Sequence, residues 1–419
     1  MNSASIIASR SKILTVRPDK HLTAALIRRG AKLNPSPVTP HACGRLASDV
    51  ISLLADLVKI PSVCGEEGRI AGFIAKWLRD EGLPVELMDV KPGRPNVISR
   101  VKGRSGGPHL MFNGHMDTVA AGAGWEHDPF GAEIQNGRMY GRGTEDMKSG
   151  LAAMLAAVAE CKAEGLPKRG EILLAAVMDE ESIDLGSNAL VQQRLTDGLD
   201  FAMISEPTDL NVVNAHRGRA VFDVVVHGKA AHSMWPEHGV SAITNSATLI
   251  NALPKLRNPT HPRMGQSTVN VLKVEGGQEE VMLVADRCRM VIDRCLVPGY
   301  NSKEALNDLN GLISELGLKA DVRFNARETP FCDPFEIPEN HEAVRTVIEV
   351  ASKVLGKTPK LDFHEGPCDS CILVNQGGIP TLEFGPSGGR LHQPDEFVDL
   401  QSVKMTTSFY KELIRTLLS

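Results

Sequence analysis

Apolar runs in this chain repeatedly stop at a histidine or an acid, and those junctions limit both what it can fold into and what it can do. The run 110–112 leads into Asn113-Gly114-His115-Met116-Asp117. The run 172–178 ends in Asp179-Glu180-Glu181, and 201–204 ends in Ser205-Glu206-Pro207. The run 381–384 precedes a glycine-rich segment that closes on His392. A fifth group, Gly141-Arg142-Gly143-Thr144-Glu145-Asp146, places Asp146 at the mouth of a small-residue helical stretch. In extended chain, residues two apart share a face, so His115 and Asp117 point into one space. Open α/β sheets bind ligands beyond the carboxyl ends of their strands. Carboxylates gathered there repel one another unless something positive sits between them. Two imidazoles with several carboxylates suit zinc-like ions, and the count fits two metals sharing one carboxylate.

The runs 97–101, 110–113, 172–178 and 201–204 read as buried strands, and 68–81 and 147–164 as helices. This alternation predicts an α/β layer with a largely parallel sheet. From about His216 to Arg327 the order becomes strand (220–227), helix (240–252), two strands (268–274 and 287–295), helix (303–316) and strand (320–325). That β-α-β-β-α-β order predicts a ferredoxin-like unit. After Pro334 the α/β pattern resumes, with a helix over 342–355 and a strand over 381–384. The expected organisation is one α/β domain (47–214 and 329–419) interrupted by a smaller inserted domain (215–328). Connections near Asn214 and Thr329 would act as its hinges.

Residues 1–46 differ. Seven basic residues and one acid, Asp19, precede Asn34, and Pro35, Pro37 and Pro40 follow. The segment reads as a basic, loosely ordered extension on a cytoplasmic chain; a transit peptide for organellar import is the other reading. Over all 419 residues the net charge is −5, with no basic excess to suit nucleic acid. The longest wholly apolar run, about nine residues near Leu151–Ala159, is half a membrane span. Eight scattered cysteines suit free thiols rather than a disulfide framework.

Taken together and in order, the five groups resemble the metallo-aminoacylase/carboxypeptidase family, of acetylornithine deacetylase, succinyl-diaminopimelate desuccinylase and glutamate carboxypeptidase type. The likeness spans nearly everything after Leu46. It implies a zinc-peptidase-like fold carrying a lid and dimerisation domain. It also implies hydrolysis of the linear amide of an N-acyl amino acid, with a dipeptidase or glutamate-type carboxypeptidase as the alternative. Under the resemblance two zinc ions are the cofactors, with cobalt or manganese as alternatives. His115 and Glu206 would hold one ion, Glu181 and His392 the other, and Asp146 would bridge them ahead of a cis peptide bond. Asp117 would orient His115, and Glu180 would be the general base. Gly228-Lys229-Ala230-Ala231-His232-Ser233 matches the family's lid motif, whose histidine reaches the partner subunit's site and stabilises the oxyanion. A homodimer acting on a small N-acyl amino acid or short peptide is therefore expected. One position departs from the pattern. Before Pro298-Gly299, where the family carries a carboxylate-binding arginine, this chain has Cys295. Arg294 is adjacent, but neighbouring strand residues face opposite ways.

Rival readings are weaker on chemical grounds. Gly385-Pro386-Ser387-Gly388-Gly389 formally matches G-x-S-x-G, but glycines and Pro394 follow where a nucleophile elbow needs a helix. Gly141-Arg142-Gly143 lacks the third glycine of a dinucleotide loop. A non-catalytic binding module would need a damaged ligand set, and the set is intact. Cys368-Asp369-Ser370-Cys371 alone cannot make a four-thiolate site, so free thiols are expected. His109, His127, His216, His238 and His364 have no comparable context, though His216-Arg217-Gly218 sits at the domain junction.

Overall fold

The structure, a computed structural model, describes residues 49–279 and 282–419. The basic extension over 1–46 lies outside the described residues.

The strongest strand formers pair in the middle of a nine-stranded sheet. Its order is Glu86–Lys91, Arg94–Lys102, Arg169–Val177, Ser105–His115, Phe201–Ile204, Thr381–Glu383, Val212–His216 and Phe335–Glu336, with Leu361–His364 also pairing onto Val212–His216. Strands at its centre are parallel and buried on both faces, which explains their unbroken apolar character. The flanks are antiparallel, so the sheet is mixed rather than largely parallel. At one edge a tight Pro92-Gly93 turn folds Glu86–Lys91 back on Arg94–Lys102, with Gly93 at φ 74°. A connection that short cannot make a parallel crossover.

Helix Lys148–Ala163 is buried along most of its length, so it shows no polar stripe. It packs against the sheet, Val50–Val58 and the terminal helix Leu400–Leu418. Its small residues permit that. A Cβ at Gly150 would lie 1.9 Å from the Ser205 carbonyl oxygen. The close approach sets the start of this helix, just after Asp146, against the strand end that carries Glu206.

The inserted unit has its own four-stranded antiparallel sheet, in the order Thr268–Gly276, Arg287–Leu296, Gly218–His227, Ala320–Phe324. Helices Ala242–Ala252 and Ser302–Glu315 cover it, giving the β-α-β-β-α-β order expected. Phe222, Val224, Met290, Ile292 and Leu309 fill a core separate from that of the large sheet. Ser302–Glu315 opens on a capping box between Asn301 and Glu304. The fold is an α/β catalytic layer interrupted by a ferredoxin-like unit.

Candidate active site

His115 ends the strand Ser105–His115 and is fully buried. Its Nε2 lies 2.9 Å from Asp146 Oδ1, 3.7 Å from Glu206 Oε1 and 3.9 Å from Glu180 Oε2. His392, at φ 59°, places its Nε2 3.3 Å from Asp146 Oδ2 and 3.1 Å from a Glu181 oxygen. Asp146 thus offers one oxygen to each imidazole. The peptide bond after it is cis. Two candidate ligand groups result, His115–Asp146–Glu206 and Asp146–Glu181–His392, with Asp146 common to both.

Asp117 is placed differently from expectation. The Nδ1–H of His115 meets the backbone carbonyl of Asp117 at 3.0 Å, while the Asp117 carboxylate is 3.7 Å away. That carboxylate instead accepts the backbone N–H groups of Glu180 (3.2 Å) and Glu181 (3.0 Å). It ties the acidic turn to the histidine strand. Asp179, at φ 71°, begins the turn and receives Arg94 Nη2 at 2.5 Å. Arg94 also grips the buried Glu67 with two nitrogens.

Glu396 was not singled out from the sequence, yet it sets the position of Asp146. Its buried carboxylate accepts the N–H groups of Gly143 (3.1 Å), Glu145 (2.8 Å) and Asp146 (3.1 Å), and pairs with the buried Arg142. An acid two residues beyond Pro394 reads, in sequence, as a side chain turned to water. No local pattern marks it.

The electrostatics fit a dinuclear cation site. Burial, with the charge of Asp146, raises Glu206 well above the usual carboxylate range. Burial likewise raises Glu180, partly opposed by His115. Burial would lower His115, but its bond to Asp146 and the charges of Glu180 and Glu206 outweigh this and raise it. Glu206 Oε1 is buried with no hydrogen-bond partner. Carboxylates this close and this dry call for cations, and the nitrogen–oxygen donor set suits zinc-like ions.

These groups line a cavity of about 270 Å³, sized for a small molecule, with Asp146, Glu180, Glu181, Glu206 and His392 on its wall. Arg219 and Arg327 also border it. Arg219 sits directly across the strand pair from Cys295. Arg294 points into the lid core, 3.1 Å from the Tyr300 hydroxyl, as strand alternation predicts. His232 is on the lid, exposed and outside the cavity lining in this single chain. Ser387 leads into the short strand Gly388–Gly389, with no helix to make an elbow.

Residues 111–416 match peptidase family M20/M25/M40. The chain belongs to this family. It is a hydrolase of amide or peptide bonds. Acetylornithine deacetylase of Erwinia tasmaniensis is 29% identical over 386 residues, covering 87% of this chain and 96% of that protein. Succinyl-diaminopimelate desuccinylase of Cereibacter sphaeroides is 28% identical over 382 residues, covering 88% and 98%. Among solved structures, an aminopeptidase of Bacillus cereus superposes with TM-score 0.72 at 25% identity, covering 87% of this chain and 97% of its own. A dinuclear metal-binding peptidase of Bacillus subtilis shares the fold at TM-score 0.67 and 17% identity, covering 88% and 97%. Among the described residues no helix is long and apolar enough to cross a membrane.

Proposed function

We propose that this chain hydrolyses the linear amide of an N-acyl amino acid, using two zinc ions, with cobalt or manganese as alternatives. The observation that carries the reading is Asp146, whose two oxygens face His115 and His392 separately. His115, Asp146 and Glu206 would hold one ion, and Asp146, Glu181 and His392 the other. Bound divalent ions supply Lewis acidity and make water a usable nucleophile near neutral pH. Glu180 accepts the water's proton as oxygen attacks the amide carbon, then delivers it to the departing amine nitrogen. Its anchored backbone N–H, held by Asp117, keeps the carboxylate facing the cavity. Arg327 at the cavity rim is paired with Asp184, whereas Arg219 meets Asp293 through Nε and, half exposed, has its remaining guanidinium N–H groups for a substrate carboxylate. Arg219 serves where Cys295 cannot.

The same reading assigns 47–214 and 329–419 to catalysis and 215–328 to a lid that closes around substrate, in a cytoplasmic homodimer, with residues 215 and 216 kept in the large sheet by the strand Val212–His216. The separate lid core supports the division. The lid's edge strand Thr268–Gly276 exposes Leu272 and Val274, an unpaired apolar edge fit for a second copy. His232 would then reach the partner's cavity and stabilise the oxyanion.

The test is amine release from metal-loaded protein given N-acetyl and N-succinyl amino acids, dipeptides and acyl-glutamates. Hydrolysis of the N-acyl set is expected, and cleavage of peptides alone would replace the reading with a dipeptidase or carboxypeptidase. Glu180→Gln should retain both metals while turnover falls about 10²–10⁴-fold. Near-normal turnover would remove Glu180 as base.

A further inference from the structure

A second buried set of potential ligands lies behind the cavity wall, drawn from four separate places in the chain. His216 ends the strand Val212–His216, His364 ends Leu361–His364, Glu383 ends Thr381–Glu383, and Cys368 precedes a short helix. The three strands are neighbours in the large sheet. One ligand atom from each of the four residues lies within 4.8 Å of all the others. His216, Cys368 and Glu383 are each 2% exposed or less.

The hydrogen bonds in this set do not balance. His216 Nδ1 lies 3.0 Å from the Gly366 carbonyl and so carries a proton. In the neutral ring, Nε2 is then a lone pair aimed inward. It faces Glu383 Oε1 at 2.7 Å, one acceptor against another. Ser370 has a single hydroxyl proton, yet both Glu383 Oε1 (2.8 Å) and His216 Nε2 (3.0 Å) are within its reach. Cys368 Sγ can donate to Glu383 Oε1 at 3.0 Å. On the far side Glu383 Oε2 and His364 Nδ1 are both buried without a partner, 3.6 Å apart. A proton on His216 would relieve the first conflict, but at 3.6 Å a proton on His364 Nδ1 is too far from Glu383 Oε2 to satisfy the second. A cation shared by the four residues relieves both.

The contrast within this chain is informative. Cys64, Glu67 and Asp117 also cluster, but Arg94 stands among them, 2.7 Å from Glu67 Oε1, and supplies the charge. Among the described residues no arginine or lysine bonds to Glu383.

We propose that His216, His364, Cys368 and Glu383 form a third metal site, distinct from the dinuclear pair. Two imidazoles, a thiolate and a carboxylate make a closed four-ligand set of the kind that holds zinc structurally. His364 and Cys368 border the cavity, which gives an ion its way in. The site pins three strands together at the point where the chain leaves the sheet for the lid, one residue after His216.

The full chain, stripped and reloaded with cobalt(II) chloride alone, tests this by bound-metal stoichiometry and absorption. No residue of the dinuclear set is a cysteine, so a thiolate-to-cobalt charge-transfer band in the near ultraviolet reports the third site. Three equivalents and the band are expected in the wild type. Cys368→Ala should bind two and lose the band, while Cys64→Ala should keep both. Two equivalents without a band in the wild type would overturn the third site and leave the dinuclear reading standing. A band that survives Cys368→Ala would overturn it equally, and the wild-type spectrum requires no variant to fold.

Discussion

Replacing Glu396 by alanine removes the acceptor that holds the Asp146 loop, and its cost follows from what is left behind. Three backbone N–H groups, from Gly143, Glu145 and Asp146, lose their partner in a buried place. Each buried donor left unsatisfied costs about 1–3 kcal/mol. The Arg142 guanidinium, 1% exposed, loses its counter-charge. Breaking a buried ion pair from one side costs about 3–5 kcal/mol. The terms overlap, because water enters the vacated space and bonds to several donors at once. The net loss should therefore be about 4 kcal/mol, read by urea denaturation of the metal-free chain. Metal affinity should fall with it, because both candidate ligand groups include Asp146. Glu396→Gln should do less harm, about 2 kcal/mol, since its carbonyl can still accept from Glu145 and Asp146 while its amide meets the Arg142 and Gly143 donors. Arg142→Leu and Glu396→Ala should be strongly non-additive in the double variant. A Glu396→Ala chain within about 1 kcal/mol of wild type, with unchanged metal titration, would refute the argument.

Other expectations test separate parts of the site. His392, held up to about 10 by its bonds to Asp146 and Glu181, keeps its proton in the metal-free fold across neutral pH. Its stabilising contribution there is complete below the unfolded imidazole value near 6.5 and is lost as pH rises through about 10. Metal must displace that proton, so affinity should rise with pH and loading should acidify a weakly buffered indicator solution; no proton release would contradict this. Gly150→Ala drives a methyl to 1.9 Å from the Ser205 carbonyl and should cost about 3 kcal/mol or abolish folding, checked by thermal denaturation. Arg219→Ala should raise KM for N-acyl amino acids about 10–100-fold with kcat little changed, and an unchanged KM would clear Arg219 of substrate binding.

The sequence displays those features whose physics is local. The runs 110–112 in Ser105–His115 and 172–177 in Arg169–Val177 are apolar because both faces are covered there, and that shows in a run of letters. The lid's order and spans emerge from periodicity alone, within about two residues at most ends. His115, Asp146, Glu181, Glu206 and His392 were visible because each interrupts an apolar run or a glycine turn. Long-range partnerships were not visible. Glu396 acts on Asp146 across 250 positions, and His216 meets Ser370 across 154. The sheet's mixed direction comes from antiparallel pairings at both flanks, which alternation cannot report. The resemblance gives Asp117 the task of orienting His115, yet the backbone carbonyl meets the ring and leaves the carboxylate to the acidic turn, a choice that spacing along the strand does not reveal.

The buried acids around the cavity explain why the site has its composition. A carboxylate removed from water needs a cation, a proton or a set of N–H donors. Arginines serve some of them: Arg94 for Glu67 and Asp179, Arg142 for Glu396, and Arg327 for Asp184. Asp117 takes backbone N–H groups. Asp369, pushed up to about 8 by burial and the charge of Asp184, keeps a proton near neutral pH. Among the described residues no arginine pairs with Asp146, Glu180, Glu181 or Glu206, and two histidines alone cannot neutralise four acids. Guanidinium groups there would fill the cavity and leave no open coordination position for a substrate. Small ions neutralise the same charge and leave that space free. The arginines fix the framework around the cavity, and the uncompensated acids stand where the proposed ions would bind.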